Sequence, residues 1–400
     1  MKSLFLPLYA TLCQALSPNV YPSGVRLQAR RAELPSSRSF HGGSPCLGLR
    51  VSPRVGLGMV ASDGSDMQAI ETAVEVPTTQ EAAKGEPSAM GHKLKVATLF
   101  FLWYLFNIGY NLCTKSTLNA ISIPYTLAVA QLVAGLPYVF FLWLSGLRPA
   151  PKMSLSNIVT VAPVAVMHMF AHLAAVVSLG AGAVGFVQIV KACEPLFTAL
   201  FNGLFFGDIM ALPVYLTLIP VVGGVGLASL SELSFSWLAF GAAMVSNSCA
   251  GLRSVFGKAT MGKSKGENMD AGNLYAVITI LATIALTPLA FAMEGRQLSS
   301  LWAAAVNKGY SEARLARVIS LSGLFFYLYN EVAFRALDLI HPLTHSLGNT
   351  LKRVVMIIVS VLVLKHRFTP RGVGGCVMAI GGVMAYSVAK HHYDSKDKEA

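Results

Sequence analysis

Charged residues are scarce in this 400-residue chain: they make up 12% of it, whereas hydrophobic residues make up 54%. Soluble domains carry about a quarter charged residues, so this composition excludes an ordinary soluble globular fold. The apolar residues form long continuous runs, which are typical of membrane-spanning helices and not of the short alternating strands of a membrane β-barrel. The sequence therefore predicts an all-α polytopic membrane protein in a lipid bilayer.

Motifs for metals, disulfides and nucleotides are also missing. The six cysteines are scattered without a CxxC pair, which indicates neither a zinc site nor a disulfide framework. The segments GAGAVG (180–185) and VVGGVG (221–226) are not followed by GK[ST], so close helix packing is their expected role. His168 and His172 lie one helical turn apart, but no Cys or carboxylate completes a metal site. No cofactor is predicted.

The net charge of +12 does not indicate a nucleic-acid partner. Half of the excess lies in residues 1–58, which contain seven Lys or Arg and one acidic residue, Glu33. These residues begin with an apolar stretch and continue with a Ser/Arg-rich, acid-poor segment, which is the composition of a signal peptide followed by a transit peptide. That arrangement is used to enter a plastid bounded by extra membranes. A single transit peptide with an apolar start is the alternative.

Four regions are predicted along the chain: the targeting presequence 1–58, a disordered mature N-terminus 59–92, a membrane domain 93–390 and a polar C-terminal tail 391–400. Acidic residues appear in 59–92, and apolar spans follow it in series. The best count is ten spans, with nine and eleven as the alternatives. The predicted spans are 96–114, 123–146, 155–178, 181–206, 211–231, 235–256, 271–293, 317–337, 342–364 and 371–390.

Spans four and nine share an unusual feature, which is a cation inside the span. Lys191 lies in span four, and Lys352 and Arg353 lie side by side in span nine, five spans later. Two repeats with an odd number of spans insert with opposite topology and place a shared site near the membrane midplane. The pattern predicts two inverted five-helix repeats.

These three cations need compensation, because each costs about 2.5–3.5 kcal/mol at the centre of a lone membrane helix. The candidate carboxylates are Glu194, Glu331 and Asp338, and an ion pair between Lys191 and Glu194 on one helical face is the structural alternative. Neighbouring residues point about 100° apart on a helix, so a single carboxylate does not easily satisfy both Lys352 and Arg353. A multivalent anion does, and the planar fork of Arg matches phosphate oxygens. The cations thus predict a phosphoryl-binding site.

Other functional classes fit less well. The polar residues inside the spans are rich in cations and lack a His–carboxylate–nucleophile group, which argues against an enzyme. A strong oxyanion site opposes the rapid release that a channel needs. Arg253 and Lys258 are expected to snorkel to the membrane surface from the end of span six.

Four segments resemble the plastid phosphate translocator family of the drug/metabolite transporter superfamily, and the resemblance extends from about Lys95 to Lys390. It implies a ten-helix plastid envelope antiporter, not an enzyme, that exchanges inorganic phosphate for a phosphorylated C3, C5 or C6 compound. It also implies that Lys191, Lys352 and Arg353 bind phosphate and that His172 and Tyr329 lie near the rest of the substrate. The segments are KACEPLF (191–197), SELSFSWLAFGAAMVSN (231–247), YLYNE (327–331) and PLTHSLGNTLKRVV (342–355).

The sequence is most similar to triose-phosphate members from algae with red-lineage plastids, which implies exchange of phosphate for triose phosphate and 3-phosphoglycerate. Two departures bear on the substrate. Residues 185–188 read GFVQ where members commonly have SFTH, and Ala175 replaces a Ser or Thr. Translocation of pentose phosphate, hexose phosphate or phosphoenolpyruvate is the alternative, as is a nucleotide-sugar transporter of the same fold.

Overall fold

The chain is mainly helical in the part that the computed structural model describes, which is residues 89–399 apart from 208, 261–262, 338 and 341. The predicted presequence 1–58 and residues 59–88 lie outside that part. The helices are α1 (Ala89–Ala120), α2 (Pro124–Val133), α3 (Leu136–Leu144), α4 (Leu155–Ala181), α5 (Val184–Val190), α6 (Glu194–Phe206), α7 (Leu212–Leu216), α8 (Leu218–Ser231), α9 (Trp237–Ala259), α10 (Ala271–Glu294), α11 (Leu298–Asn307), α12 (Glu312–Leu337), α13 (Pro342–Leu362) and α14 (Pro370–Glu399).

Each predicted span coincides with one helix or with two helices in series, which confirms the all-helical prediction for the described residues. Seven stretches among them are long and apolar enough to cross a membrane. The other long helices, α9, α12 and α13, are more polar, so the count of ten spans stays a prediction. The seven stretches are Leu94–Ala120, Pro124–Leu144, Leu155–Ala181, Val184–Phe206, Leu212–Ser231, Ala271–Glu294 and Pro370–Asp394.

Several helices extend beyond the predicted spans, and one helix was not predicted. Helix α1 begins at Ala89, four residues before the predicted membrane domain, and α14 continues to Glu399 through the predicted polar tail. Backbone hydrogen bonding carries a helix beyond its apolar part, so hydropathy alone does not locate the ends. Helix α11 lies between the predicted seventh and eighth spans and was not predicted.

The boundary between α4 and α5 falls within the segment GAGAVG (180–185), close to the gap between the third and fourth predicted spans. Helix α4 ends at Ala181, and Gly182 caps it with an extended backbone before α5 begins at Val184. A Cβ on Gly182 would lie 2.6 Å from Cβ of Ala239 on α9. Glycine therefore both ends the helix here and permits a close approach.

Helices α8 and α14 meet along a seam of small residues, which confirms close packing for VVGGVG. A Cβ on Gly224 would lie 2.6 Å from the carbonyl oxygen of Gly375, and a Cβ on Gly375 would lie 2.6 Å from the amide nitrogen of Ala228. Membrane helices gain most of their association energy from such close packing, since lipid is as apolar as the helices. Other extensive contacts join α1 to α12, α4 to α9, α6 to α9 and α2 to α10.

A Gly224→Val substitution is expected to destabilise the protein by about 3 kcal/mol, the upper end of overpacking costs, because the new side chain meets backbone atoms that cannot turn aside. Thermal unfolding of purified protein measures the effect. The matched control is Gly226→Val on the same helix, where a Cβ meets nothing within 4 Å. Equal unfolding midpoints for the two variants would show that the seam is not tightly packed.

Two buried carboxylates near helix ends form hydrogen bonds and ion pairs with other parts of the chain. Glu294, at the end of α10, accepts hydrogen bonds from the backbone N–H groups of Tyr125 (3.0 Å) and Thr126 (2.7 Å) and so caps the start of α2. Between α8 and α9, Glu232 pairs with His366, which follows α13, at 3.1 Å. Burial raises the pKa of the Glu232 carboxyl, but hydrogen bonds from His366 and Ser234 outweigh it and hold that pKa below its usual range.

Another buried ion cluster joins the connection after α3 to α12. The guanidinium of Arg148 donates to Glu331, and Arg335 donates to the same carboxylate oxygen at 2.6 Å. The side chains of Arg148 and Glu331 are 7% and 4% exposed. Glu331 was a candidate partner for the cations of spans four and nine; that expectation is wrong, since its charge is taken up by two arginines here.

Candidate anion-binding site

Lys191 lies at a break in the fourth span, in a 3₁₀ turn of Lys191–Cys193 between α5 and α6. The cause of the break is Pro195, at the start of α6, which has no N–H to donate to the Lys191 carbonyl one turn earlier. The N–H of Glu194 bonds that carbonyl instead. Irregular backbone at membrane depth is tolerated where it lines a cavity or is buried in protein, and transporters place their sites at such discontinuous helices.

The ammonium of Lys191 donates to the hydroxyl of Ser246 on α9 at 2.7 Å. That hydroxyl donates in turn to the carbonyl oxygen of Ala171 on α4, also at 2.7 Å. The predicted alternative for Lys191, an ion pair with Glu194, is wrong as a direct contact, because Glu194 pairs with Arg353 instead. Lys191 therefore has a neutral hydrogen-bond partner and no ion pair among the described residues.

Lys352 and Arg353 point to different partners, as their adjacent positions on α13 require. The guanidinium of Arg353 donates to the Glu194 carboxylate at 2.6 Å. The ammonium of Lys352 lies over two rings instead, 4.8 Å from the ring centre of Trp103 and 5.6 Å from that of Tyr329. Ring faces attract a cation without neutralising it. Within the described residues, Lys352 thus has no carboxylate partner.

An aromatic wall borders the cations and includes both other predicted site residues. Tyr329 packs at 5.4 Å from Tyr110 and 5.6 Å from Phe326, between ring centres. His172 lies on the other side of Phe326, at 4.0 Å, and its Nε2 is 3.3 Å from the carbonyl oxygen of Ala128. A proton on Nε2 therefore bonds the backbone and leaves Nδ1 as the acceptor. The structure brings His172 and Tyr329 together around Phe326.

Arg253 belongs to the same charged group, so the prediction that it snorkels to the surface is wrong. Its Nη1 donates to Nδ1 of His168 on α4 at 2.9 Å, and His168 is only 4% exposed. Since a guanidinium can only donate, His168 carries its proton on Nε2. The charge of Arg253 also acts on Lys191, Lys352 and Glu194. Arg253 points into the protein because the face of α9 that carries it packs on α4.

The described site combines four cations with one carboxylate. Lys191, Lys352, Arg353 and Glu194 act on one another electrostatically, and Arg253 acts on the two lysines and on Glu194. Of the carboxylates considered from the sequence, Glu194 lies in this group and Glu331 does not, while Asp338 lies outside the described residues. A buried excess of positive charge is costly without an anion. The group can therefore bind a multivalent anion, and the planar guanidinium groups suit phosphate or carboxylate oxygens.

The two departures from the resembled family lie close to the site. Gln188 donates a hydrogen bond to Asn111 on α1 at 3.1 Å, and both side chains are buried. Gly185 lets α5 approach α13, because a Cβ there would lie 2.5 Å from the hydroxyl of Ser360. Ala175 is half-buried on α4, one turn after His172. These residues shape the helix contacts around the site.

Comparison with known proteins gives the family. A model of the Triose-phosphate Transporter family matches residues 94–387. Glucose-6-phosphate/phosphate translocator 2 of Arabidopsis thaliana is 35% identical over 79% of this chain and 78% of its own length. Phosphoenolpyruvate/phosphate translocator 3 of Oryza sativa is 35% identical over 90% and 93% of the two chains.

A third relative bears the name that the sequence resemblance favoured. The triose phosphate/phosphate translocator of non-green plastids from Brassica oleracea is 33% identical over 84% of this chain and 82% of its own length. All three are described as chloroplastic, and their names differ in the phosphorylated compound. The chain therefore belongs to the Triose-phosphate Transporter family, which includes the plastid phosphate translocators and consists of transporters, not enzymes.

Proposed function

We propose that the protein exchanges inorganic phosphate for triose phosphate and 3-phosphoglycerate across a plastid envelope membrane. The observation that carries the proposal is the buried excess of positive charge, in which Lys191 and Lys352 form no ion pair with any carboxylate of the described residues. Phosphate and the phosphoryl end of a triose phosphate present the same dianion to these groups. The presequence composition favours a plastid bounded by additional membranes, and the resemblance to algal triose-phosphate members favours one of the red lineage.

Exchange follows from the cost of the empty site. Alternating access needs the site to close away from water, and closing it around uncompensated cations is unfavourable. A bound phosphoryl group removes most of this cost, so the loaded protein changes conformation and the unloaded protein seldom does. The long contacts of α1 with α12 and of α4 with α9 support two repeats that pair with each other across the site.

A second candidate substrate range is favoured by the relatives and by Ala175. Relatives of about 35% identity are named for glucose 6-phosphate and for phosphoenolpyruvate. Ala175 lies one turn after His172 and has no hydroxyl, which leaves more room than Ser or Thr would. Pentose phosphate, hexose phosphate and phosphoenolpyruvate are therefore the compounds to compare with triose phosphate.

The testing experiment uses purified protein in liposomes that contain labelled phosphate. Dihydroxyacetone phosphate, 3-phosphoglycerate, phosphoenolpyruvate, xylulose 5-phosphate and glucose 6-phosphate are added outside in turn, and labelled phosphate leaving the liposomes is measured. Faster exchange with the first two supports the proposal. Faster exchange with a pentose or hexose phosphate selects the second range, and phosphate release at the same rate with no counter-substrate contradicts strict exchange.

Arg253 is expected to distinguish between C3 substrates. Its guanidinium adds a cation to the site, and 3-phosphoglycerate has a carboxylate that dihydroxyacetone phosphate lacks. An Arg253→Gln variant should raise the KM for 3-phosphoglycerate by about tenfold, as expected for loss of a charge-assisted hydrogen bond, and change that for dihydroxyacetone phosphate much less. Arg317→Gln, at an exposed position on α12, is the control. An equal loss with both substrates would assign Arg253 to the phosphoryl group or to structure.

A further inference from the structure

A cavity of about 290 Å³ with several polar lining residues lies between α6, α13 and α14, and it ends at the charged site. Its lining includes Arg353 and Glu194, the hydroxyl of Ser346, the amide of Asn349 and the ammonium of Lys390. The cavity follows α13 from Leu343 to Arg353, which corresponds to about 15 Å at 1.5 Å per residue. Polar groups line this stretch although α13 lies in the membrane domain.

The ion pair of Glu194 with Arg353 stands at the inner end of the cavity. The Glu194 side chain is 27% exposed, whereas that of Arg353 is 9% exposed, so the carboxylate is the more accessible partner. One N–H of Arg353 donates to Glu194 at 2.6 Å, and a guanidinium has five N–H donors. An incoming dianion competes favourably with a single carboxylate for such a group.

The outer part of the cavity contains one ammonium and one carboxylate group, so its charges balance. Lys390 and Asp394 both line it, with 3.8 Å between the ammonium nitrogen and the nearer carboxylate oxygen. The carboxylate is more exposed than the ammonium, at 54% against 34%. A phosphate ion entering between α13 and α14 passes the Lys390–Asp394 pair and then hydroxyl and amide groups before it reaches Arg353.

We infer that this cavity is a path by which inorganic phosphate reaches Arg353, and that Glu194 closes its inner end until phosphate displaces it. The inference rests on the proposed function, since it takes phosphate as a transported anion. Glu194 then serves as the counter-ion of Arg353 in the empty protein. When phosphate binds Arg353, the carboxylate turns into the cavity, where the hydroxyl and amide groups can hydrogen-bond it.

Thiol labelling tests the path without relying on transport. Asn349→Cys places a thiol in the cavity, and Leu351→Cys, two residues later on the same helix, places one at a position that is 53% exposed and apolar in the native chain. Each variant is held in nanodiscs, so that both membrane faces meet the reagent. Labelling by a negatively charged and by a positively charged methanethiosulfonate is timed, and peptide mass spectrometry separates the new cysteine from the native ones.

We expect the anionic reagent to label residue 349 at least about tenfold faster than residue 351. The reason is that residue 349 lines the cavity, whereas residue 351 lies outside it on an apolar part of the helix surface. The anionic reagent should also react faster than the cationic one at residue 349, and inorganic phosphate should slow that reaction by about fivefold or more through occupation of the path. Labelling of residue 349 as slow as that of residue 351 would overturn the inference. So would labelling that neither reagent charge nor phosphate affects.

Exchange kinetics test the part assigned to Glu194. In Glu194→Gln, phosphate no longer competes with a carboxylate, so the KM for phosphate should fall by about fivefold or more and the exchange rate at saturation should fall because release is slower. A merely structural ion pair predicts a raised or unchanged KM. If the Glu194→Gln variant does not fold, the labelling rates alone decide whether the cavity is a path for anions. If wild-type protein exchanges no phosphate, the proposed function fails, but labelling still reports whether an anion enters the cavity.

Discussion

Lys352→Gln is expected to lower phosphate exchange by at least about a hundredfold, equivalent to roughly 2.7 kcal/mol. The ammonium of Lys352 lies over Trp103 and Tyr329 and has neither a hydrogen bond nor an ion pair within the described residues. Its charge is therefore available to the substrate. Counter-exchange in liposomes measures the loss, with phosphate inside and triose phosphate outside.

Folding should survive this substitution, because it removes a buried charge that has no carboxylate partner. Unfolding midpoints of wild type and variant should agree closely without phosphate, and phosphate should raise only the wild-type midpoint by binding the native state. Lys308→Gln, at an exposed lysine after α11, is the matched control and should exchange normally. A Lys352→Gln protein with full exchange would remove Lys352 from the site.

Glu331→Ala is expected to cost about 3–5 kcal/mol of stability, the range for breaking a buried ion pair by removing one partner. The variant leaves the guanidinium of Arg148 without its carboxylate at a position where the side chain is 7% exposed. The backbone at Gly272 encloses this guanidinium tightly, because a Cβ there would lie 3.1 Å from it. The unpaired charge therefore has little room to move towards water. The measurement is the unfolding midpoint of purified protein.

A paired replacement separates lost charge compensation from lost packing. Arg148→Met combined with Glu331→Leu removes both charges while keeping apolar volume, and such exchanges are often neutral for stability. We expect the double variant to unfold at a clearly higher temperature than Glu331→Ala. If both variants match wild type, the ion cluster contributes nothing to stability.

The sequence alone predicted the helical class and most helix positions, since both depend on local composition. Gly182 marks the end of α4 because glycine weakens a helix, and that effect acts at the residue itself. The grouping of Lys191 with Lys352 and Arg353 was also predictable, because cations inside apolar spans must share an environment that compensates them.

The partners of these residues were not predictable, because they depend on which helix faces meet. Glu194 is three residues from Lys191 in sequence but pairs with Arg353, 159 residues away. Glu331 pairs with Arg148 at a separation of 183 residues. Arg253 resembles a residue at a span end in sequence, and only the contact of α9 with α4 places it beside His168. Without homologous sequences, no signal in the single chain distinguishes these pairings.

The polarity of α13 has a consequence for how the protein is assembled in the membrane. The helix is not among the stretches apolar enough to cross a membrane by composition, and each of its two central cations costs about 2.5–3.5 kcal/mol to insert alone. Glu194 and Trp103, which hold these cations, precede α13 in the chain. Insertion of α13 is therefore expected to be cooperative with helices already placed, so that a chain lacking α6 leaves its ninth predicted span outside the bilayer.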